Sequence, residues 1–174
     1  GCMVGNNSAS VVADAIIKGI TPEEDWQTLY NCIVYGTENV HPTVNSSGRL
    51  GHEYYNSIGY IPYNVGIHEN VARTLEYAYD DWTIAQMAKA MGKEDIHKEY
   101  MERALNYCNV FDGNVRFFHG KRLDGNWEEK FNPDAVGHEF TEATAWQYRF
   151  FVPHDVPSLV DIIGRECIFQ SSYN

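Results

Sequence analysis

Residues 69–92 read ENVARTLEYAYDDWTIAQMAKAMG, and this stretch decides the fold. Val71, Leu75, Ala78, Trp82, Ala85 and Ala88 recur at steps of three and four, the spacing of one face of an α-helix. Gly92 ends the pattern, because glycine takes the left-handed conformation that closes a helix at little steric cost. A second helical pattern runs from about Glu94 to Val110, with Tyr100, Ala104, Tyr107 and Cys108 on one side. So short a connection makes the two helices antiparallel neighbours.

Working outward, the remainder is also mostly helical. Asn7 or Ser8 caps a helix through Val11, Val12, Ala15 and Ile16, closed by Gly19. Thr21-Pro22-Glu23-Glu24 offers an N-cap threonine, a proline at the first helical position and a glutamate at the third, so a capping box and a helix to about Tyr35 are predicted. Residues 36–64 are irregular, with Pro42, Gly48, Gly51, Gly59 and Pro62 and a short helix near Glu53 to Ser57; loops of that length usually carry function. Residues 111–139 read as loop or short β-hairpins around Asp112-Gly113-Asn114 and Asp124-Gly125-Asn126. A helix over Phe140 to Phe151 and another from Val156 to about Phe169 follow. Helix pairs alternating with aromatic-rich loops predict an all-α fold, a segment of an α/α toroid or solenoid, without the fixed period of a short-repeat array.

Composition narrows the partners. With 174 residues and a formal charge of −11, one acidic domain is expected, and neither nucleic acid nor an anionic membrane surface suits it. No run approaches the roughly 18 to 20 apolar residues of a membrane span. The four cysteines, Cys2, Cys32, Cys108 and Cys167, form no CxxC pair; Cys32 and Cys108 lie in apolar helical patterns and are expected as buried free thiols. The chain begins on apolar Gly1-Cys2-Met3-Val4 and stops just after a helical pattern, so it reads as a segment of something larger.

Three side chains are candidates for chemistry. Glu142 lies in Phe140-Thr141-Glu142-Ala143-Thr144-Ala145-Trp146, where packing against aromatic rings would strip water from the carboxylate and raise its pKa toward that of a proton donor. Alternatively Thr141 is an N-cap and Glu142 sits in the first helical turn, where the dipole favours the ionised form. Asp14 is either an exposed ion-pair partner of Lys18 or an inward carboxylate for a polar ligand. Arg49, between Gly48 and Gly51, is either a solvated loop residue or a guanidinium presented to hydroxyls. The two Asp-Gly-Asn stretches lack the ligand spacing of a calcium loop and read as plain turns. His138 and Glu142 are four apart, but the two-histidine order of a zinc protease is missing. The high aromatic content suits stacking on sugars, and equally suits core packing.

Long stretches resemble one family. Gly1 to Ala15, then Gly59-Tyr60-Ile61-Pro62 ahead of Arg73 to Trp82, then the Glu142 segment continued by Val152-Pro153-His154-Asp155-Val156, are similar to the calcium-dependent α-mannosidases of glycoside hydrolase family 92. The resemblance implies an (α/α)6 barrel that packs against an N-terminal β-sandwich, with residues 1–174 forming the N-terminal part of the barrel and the sandwich and remaining helices absent. It implies an inverting, exo-acting hydrolase of terminal α-mannosides of glycans, N-glycans among them, located in the periplasm or secreted. Glu142 matches the family's general acid, Asp14 and Arg49 match positions at the mannose subsite, and Gln147 is a candidate oxygen ligand for calcium. Asn7 stands where many members have histidine. The base aspartates lie further along than residue 174, so the chain alone is expected to be inactive and, as half a barrel, to self-associate. A helical structural or carbohydrate-binding module without chemistry is the other reading. Linkage specificity is not legible.

Overall fold

A computed structural model describes residues 4–44 and 48–164. The element order is α1 (Ser8–Ile17), α2 (Glu23–Tyr35), α3 (His52–Ile58), α4 (Asn70–Ala90), α5 (Glu94–Arg103), a 3-10 segment (Ala104–Val110), the strands β1 (Phe111–Asp112) and β2 (Phe117–Phe118), α6 (Ala145–Tyr148) and α7 (Val156–Ile163). No helix among the described residues is long and apolar enough to cross a membrane.

Helix α4 is the axis. Fourteen of its 21 residues are buried, far more than one stripe, so it is enclosed on nearly every side and not laid on the surface. Its first half, Val71, Ala72, Leu75 and Ala78, packs with Tyr107, Val110, Phe118, Phe140, Tyr148, Val152 and Leu159. Its second half, Ile84, Ala85 and Met87, packs with Ala9, Ala13 and Ile16 of α1, Tyr30 and Ile33 of α2 and Tyr100 of α5. As expected, Gly92 turns the chain at φ +70°, and α5 returns against α4.

Several expectations need correction. The helix after Gly92 is not α-helical to Val110: from Ala104 it tightens to 3-10 geometry, where residues three apart eclipse, and Ala104, Tyr107 and Val110 are the buried ones. Cys108 therefore points outward, and Cys32 lies off the Tyr30 and Ile33 face of α2, so both thiols are exposed and free; Cys2 and Cys167 lie outside the described residues. The capping box at Thr21 does not form. Pro22 itself is the N-cap residue, the Thr21 hydroxyl is buried without a hydrogen-bond partner, and the Thr21 carbonyl accepts the Trp26 indole N–H at 3.1 Å. Glu23, Glu24 and Asp25 place their charge at the α2 N-terminus instead. Helix α7 ends at Ile163, and the expected extension to Phe169 falls outside the described residues.

The two Asp-Gly-Asn stretches are turns. Asp112 and Asp124 accept from the N–H groups of Asn114 at 2.9 Å and Asn126 at 3.0 Å. The first lies in the β1–β2 hairpin, paired Phe111 to Phe118, and the second lies between the bridged Lys121 and Trp127.

Burial of charge fixes the middle of α4. Asp81, 0 % exposed, accepts from Arg49 Nη1 at 2.6 Å, Arg103 Nε at 3.0 Å and the Tyr55 hydroxyl at 3.0 Å. Asp81→Asn would leave two guanidinium groups without their shared carboxylate, and should lower the unfolding free energy by about 3–5 kcal/mol. Asp14→Ala removes only an exposed pair and should change it by less than about 1 kcal/mol; urea unfolding of both variants measures the contrast.

Candidate active-site loop

Glu142 is not in a helix. It lies in a bend at φ +49°, and the only helix of the segment is α6, four residues long. The N-cap is Thr144, not Thr141: the Thr144 N–H donates to Gln147 Oε1 at 2.8 Å, completing a capping box. Neither sequence-based placement of Glu142 holds, since it is outside the first helical turn and exposed to solvent.

The loop that carries it is tightly held. Glu139, Phe140 and Thr141 are buried, while His138 and Glu142 on either side take left-handed backbone conformations at φ +57° and +49°. Each such non-glycine residue costs about 1–2 kcal/mol, so surrounding contacts must fix it. The Gly137 N–H reaches the Ala143 carbonyl at 3.4 Å and closes the loop on itself. The carbonyls of His138 and Glu139 accept from the N–H groups of Glu69 at 2.6 Å and Ala72 at 3.0 Å, at the start of α4. Phe140 stacks on Tyr148 with ring centres 5.2 Å apart. Trp146, half exposed, donates its indole N–H to Asp134 at 3.0 Å. A carboxyl therefore faces solvent from a fixed loop.

The other candidates lie elsewhere. Asp14 is on the outer face of α1, bonded to Lys18 at 2.7 Å with both side chains more than half exposed; of its two readings, the structure shows the ion pair. Arg49 is neither solvated nor offered to a ligand. It is 0 % exposed and lies over the rings of Tyr77 at 5.1 Å and Tyr55 at 5.7 Å. Its partner Asp81 lies nine residues along α4 from Ala72, roughly 14 Å at 1.5 Å per residue. Gln147 shares the Glu142 segment, but its carbonyl oxygen is taken by the Thr144 cap. Among the described residues no three His, Cys, Asp or Glu side chains converge as a metal site. Calcium takes roughly six to eight oxygen ligands, and no cluster of carboxylates among the described residues supplies them.

Glu76 and Asp80 were missed by sequence reasoning. They sit one turn apart on α4, next to Gly5 and Asn6. Burial, with a further push from Asp80, raises the Glu76 pKa to about 7. Burial raises Asp80 to about 6, against the pull of Arg49 and of the Asn6 N–H, which donates to it at 2.7 Å. Gly5, at φ +87°, is required there: a side-chain carbon would stand 3.2–3.3 Å from Glu76. The signal was a carboxylate pair at four-residue spacing inside a helix whose other positions predict full burial.

Comparison with known proteins gives a consistent result. The sequence model of the glycosyl hydrolase family 92 catalytic domain matches residues 1–172. The structure is similar to that of a family GH92 inverting mannosidase from Bacteroides thetaiotaomicron, with TM-score 0.89 and 39 % identity over 93 % of this chain and 22 % of that one. It is also similar to a family GH92 α-mannosidase from the same organism, solved in addition with mannoimidazole, with TM-score 0.85 and 34 % identity over 96 % of this chain and 21 % of that one. Those structures are (α/α)6 barrels, and the helices described above match one stretch of them. An uncharacterized secreted glycosidase from Arthroderma benhamiae is 30 % identical over 95 % of this chain and 25 % of its own length. The chain thus spans about a quarter or less of each relative.

The Glu76 pKa yields a prediction. A carboxyl near 4.5 when unfolded and near 7 when folded resists ionisation in the native state, so stability falls as pH rises between those values. Glu76→Gln should flatten that fall and be more stable at pH 8 by about 2 kcal/mol, allowing for its partial exposure. Unfolding curves taken from pH 4 to 8 test this; coincident profiles for parent and variant would contradict it.

Proposed function

The chain belongs to glycosyl hydrolase family 92, and from that premise we propose that it forms part of the catalytic domain of an inverting α-mannosidase acting on terminal α-mannosides of glycans, with Glu142 as proton donor. The observation that carries the assignment is the loop itself: a solvent-facing carboxyl on a left-handed residue, after three buried residues and on a main chain bonded to the start of α4.

The geometry suits protonation of a leaving group. A bound glycan would replace solvent on the open side of Glu142, and the half-exposed Trp146 of the same segment offers a ring for a sugar C–H face. As the bond from the anomeric carbon to the glycosidic oxygen breaks, the Glu142 carboxyl gives its proton to that oxygen. A second carboxylate on the opposite face takes a proton from the attacking water, and inversion needs the two roughly 6.5–9.5 Å apart. The family resemblance puts that base further along the sequence than residue 174, so residues 1–174 alone should not turn over. Calcium carries no step in this proposal, because no carboxylate cluster among the described residues would hold it. We place the enzyme outside the cytoplasm, in keeping with the secreted relative.

In the intact enzyme, Glu142→Gln should lower kcat on a mannosyl disaccharide by about 10²–10⁴-fold. An aryl mannoside whose phenol leaves without help should be affected far less. Steady-state kinetics on both substrates checks this, and ordinary disaccharide turnover by the variant would overturn the assignment.

A further inference from the structure

Under the Glu142 loop, His119 and Glu139 meet in the interior, 1 % and 8 % exposed. His119 Nε2 lies 2.8 Å from the Glu128 carbonyl, an atom that only accepts, so Nε2 carries a hydrogen. Nδ1 lies 3.3 Å from Glu139 Oε2, and the same oxygen accepts the Gly120 N–H at 3.0 Å. That donation marks the oxygen as an acceptor. Assigning the hydrogen between the two residues to Nδ1 makes the pair an imidazolium facing a carboxylate.

The surroundings enforce this contact. The imidazole stacks on Trp127 with ring centres 6.0 Å apart and meets the edge of Phe131 at 4.6 Å. A side chain at residue 120 would stand 2.6 Å from the Tyr63 ring and 2.9 Å from Glu139 Oε1, so only glycine admits Glu139. Asp112 acts on His119 as a further negative charge. Glu128 has its carboxylate committed to Arg122 at 2.9 Å, and the Lys121 ammonium lies over the Trp127 ring at 5.2 Å.

We propose that His119 and Glu139 are a positioning pair that holds the Glu142 loop in its productive place, and that they hold it only while the imidazole is protonated. The inference rests on Glu142 being the acid. Glu139 is pinned at two ends, its carbonyl on the Ala72 N–H and its carboxylate on residues 119 and 120. Glu142 follows three residues later. If Nδ1 loses its proton, a lone pair faces the buried carboxylate and the side-chain anchor fails, while the Nε2–H stays on Glu128.

Burial alone would draw His119 toward the neutral form; its bonds to Glu139 and to the Glu128 carbonyl, with the nearby negative charges, outweigh this and raise its pKa above the usual value. A histidine raised in the folded state contributes fully below its unfolded pKa of about 6.5. That contribution fades as pH climbs through the higher folded value.

The test uses the intact enzyme with Glu139→Gln and, as a second variant, His119→Gln. On a mannosyl disaccharide, kcat should fall about tenfold with KM within about twofold of the parent. The aryl mannoside should lose much less, and the disaccharide rate of Glu139→Gln should begin to decline at lower pH than in the parent. Equal losses on both substrates, loss of the fold in both variants, or unchanged kinetics at every pH would overturn the proposal. The two ideas fail differently. If Glu142 is not the acid, Glu142→Gln leaves disaccharide turnover intact; if only the pair is misassigned, Glu142→Gln shows the leaving-group-dependent loss and the other two variants do not.

Discussion

Helix α4 begins without a side-chain cap, and the loop bearing Glu142 takes that part with its main chain. Glu69, the N-cap residue, is left-handed at φ 60° and makes no capping bond through its side chain. The first N–H groups of a helix have no partner within it, and leaving them unpaired in the interior costs about 1–3 kcal/mol each. Here the carbonyls of His138 and Glu139 accept two hydrogen bonds from this end, those of Glu69 and Ala72. The loop cannot shift without breaking the cap of the most buried helix among the described residues, which ties its position to the core beneath it.

The core in turn is arranged to keep α4 fixed. Three carboxylates, Glu76, Asp80 and Asp81, lie on a helix of which fourteen of 21 residues are buried. Asp81 accepts from two guanidinium groups and a phenol, and so ties residues 49, 55 and 103 to one point. Asp80 has one backbone donor, and its second oxygen has no hydrogen-bond partner. Of the four non-glycine residues at positive φ among the described residues, three, Glu69, His138 and Glu142, belong to the other end, and the fourth, Arg116, lies between β1 and β2. Strain of this kind survives only where packing over-determines it, and it gathers at functional sites.

How much of this was legible depends on the distance over which each residue acts. The α4–α5 pair could be read because helical periodicity and Gly92 are local signals, and the Asp-Gly-Asn turns because their hydrogen bonds span two residues. Arg49 could not, since its neighbouring glycines suggest a flexible loop while the carboxylate that buries it is 32 positions away. The Glu142 bend was misread as helix because the apolar run around it fits either state, and what decides is capping of α4 some seventy residues earlier. One clue was present: Thr144 and Gln147 have capping-box spacing, which moves the helix start beyond Glu142. The family was legible from long matching stretches; Asp14 and Arg49, placed by that resemblance near a sugar, are found here on the outside of α1 and inside the α4 network.

The central claim is that a loop locked to α4 presents Glu142 to the glycosidic oxygen. Its most direct test is a crystal structure of the intact enzyme with a sulfur-linked mannosyl disaccharide, whose bridging sulfur stands for that oxygen and resists cleavage. The account predicts a Glu142 carboxyl oxygen within about 3.5 Å of the sulfur, with the His138 and Glu139 carbonyls still on the Glu69 and Ala72 N–H groups. A different carboxylate at the sulfur, or Glu142 directed away from it, would contradict the account.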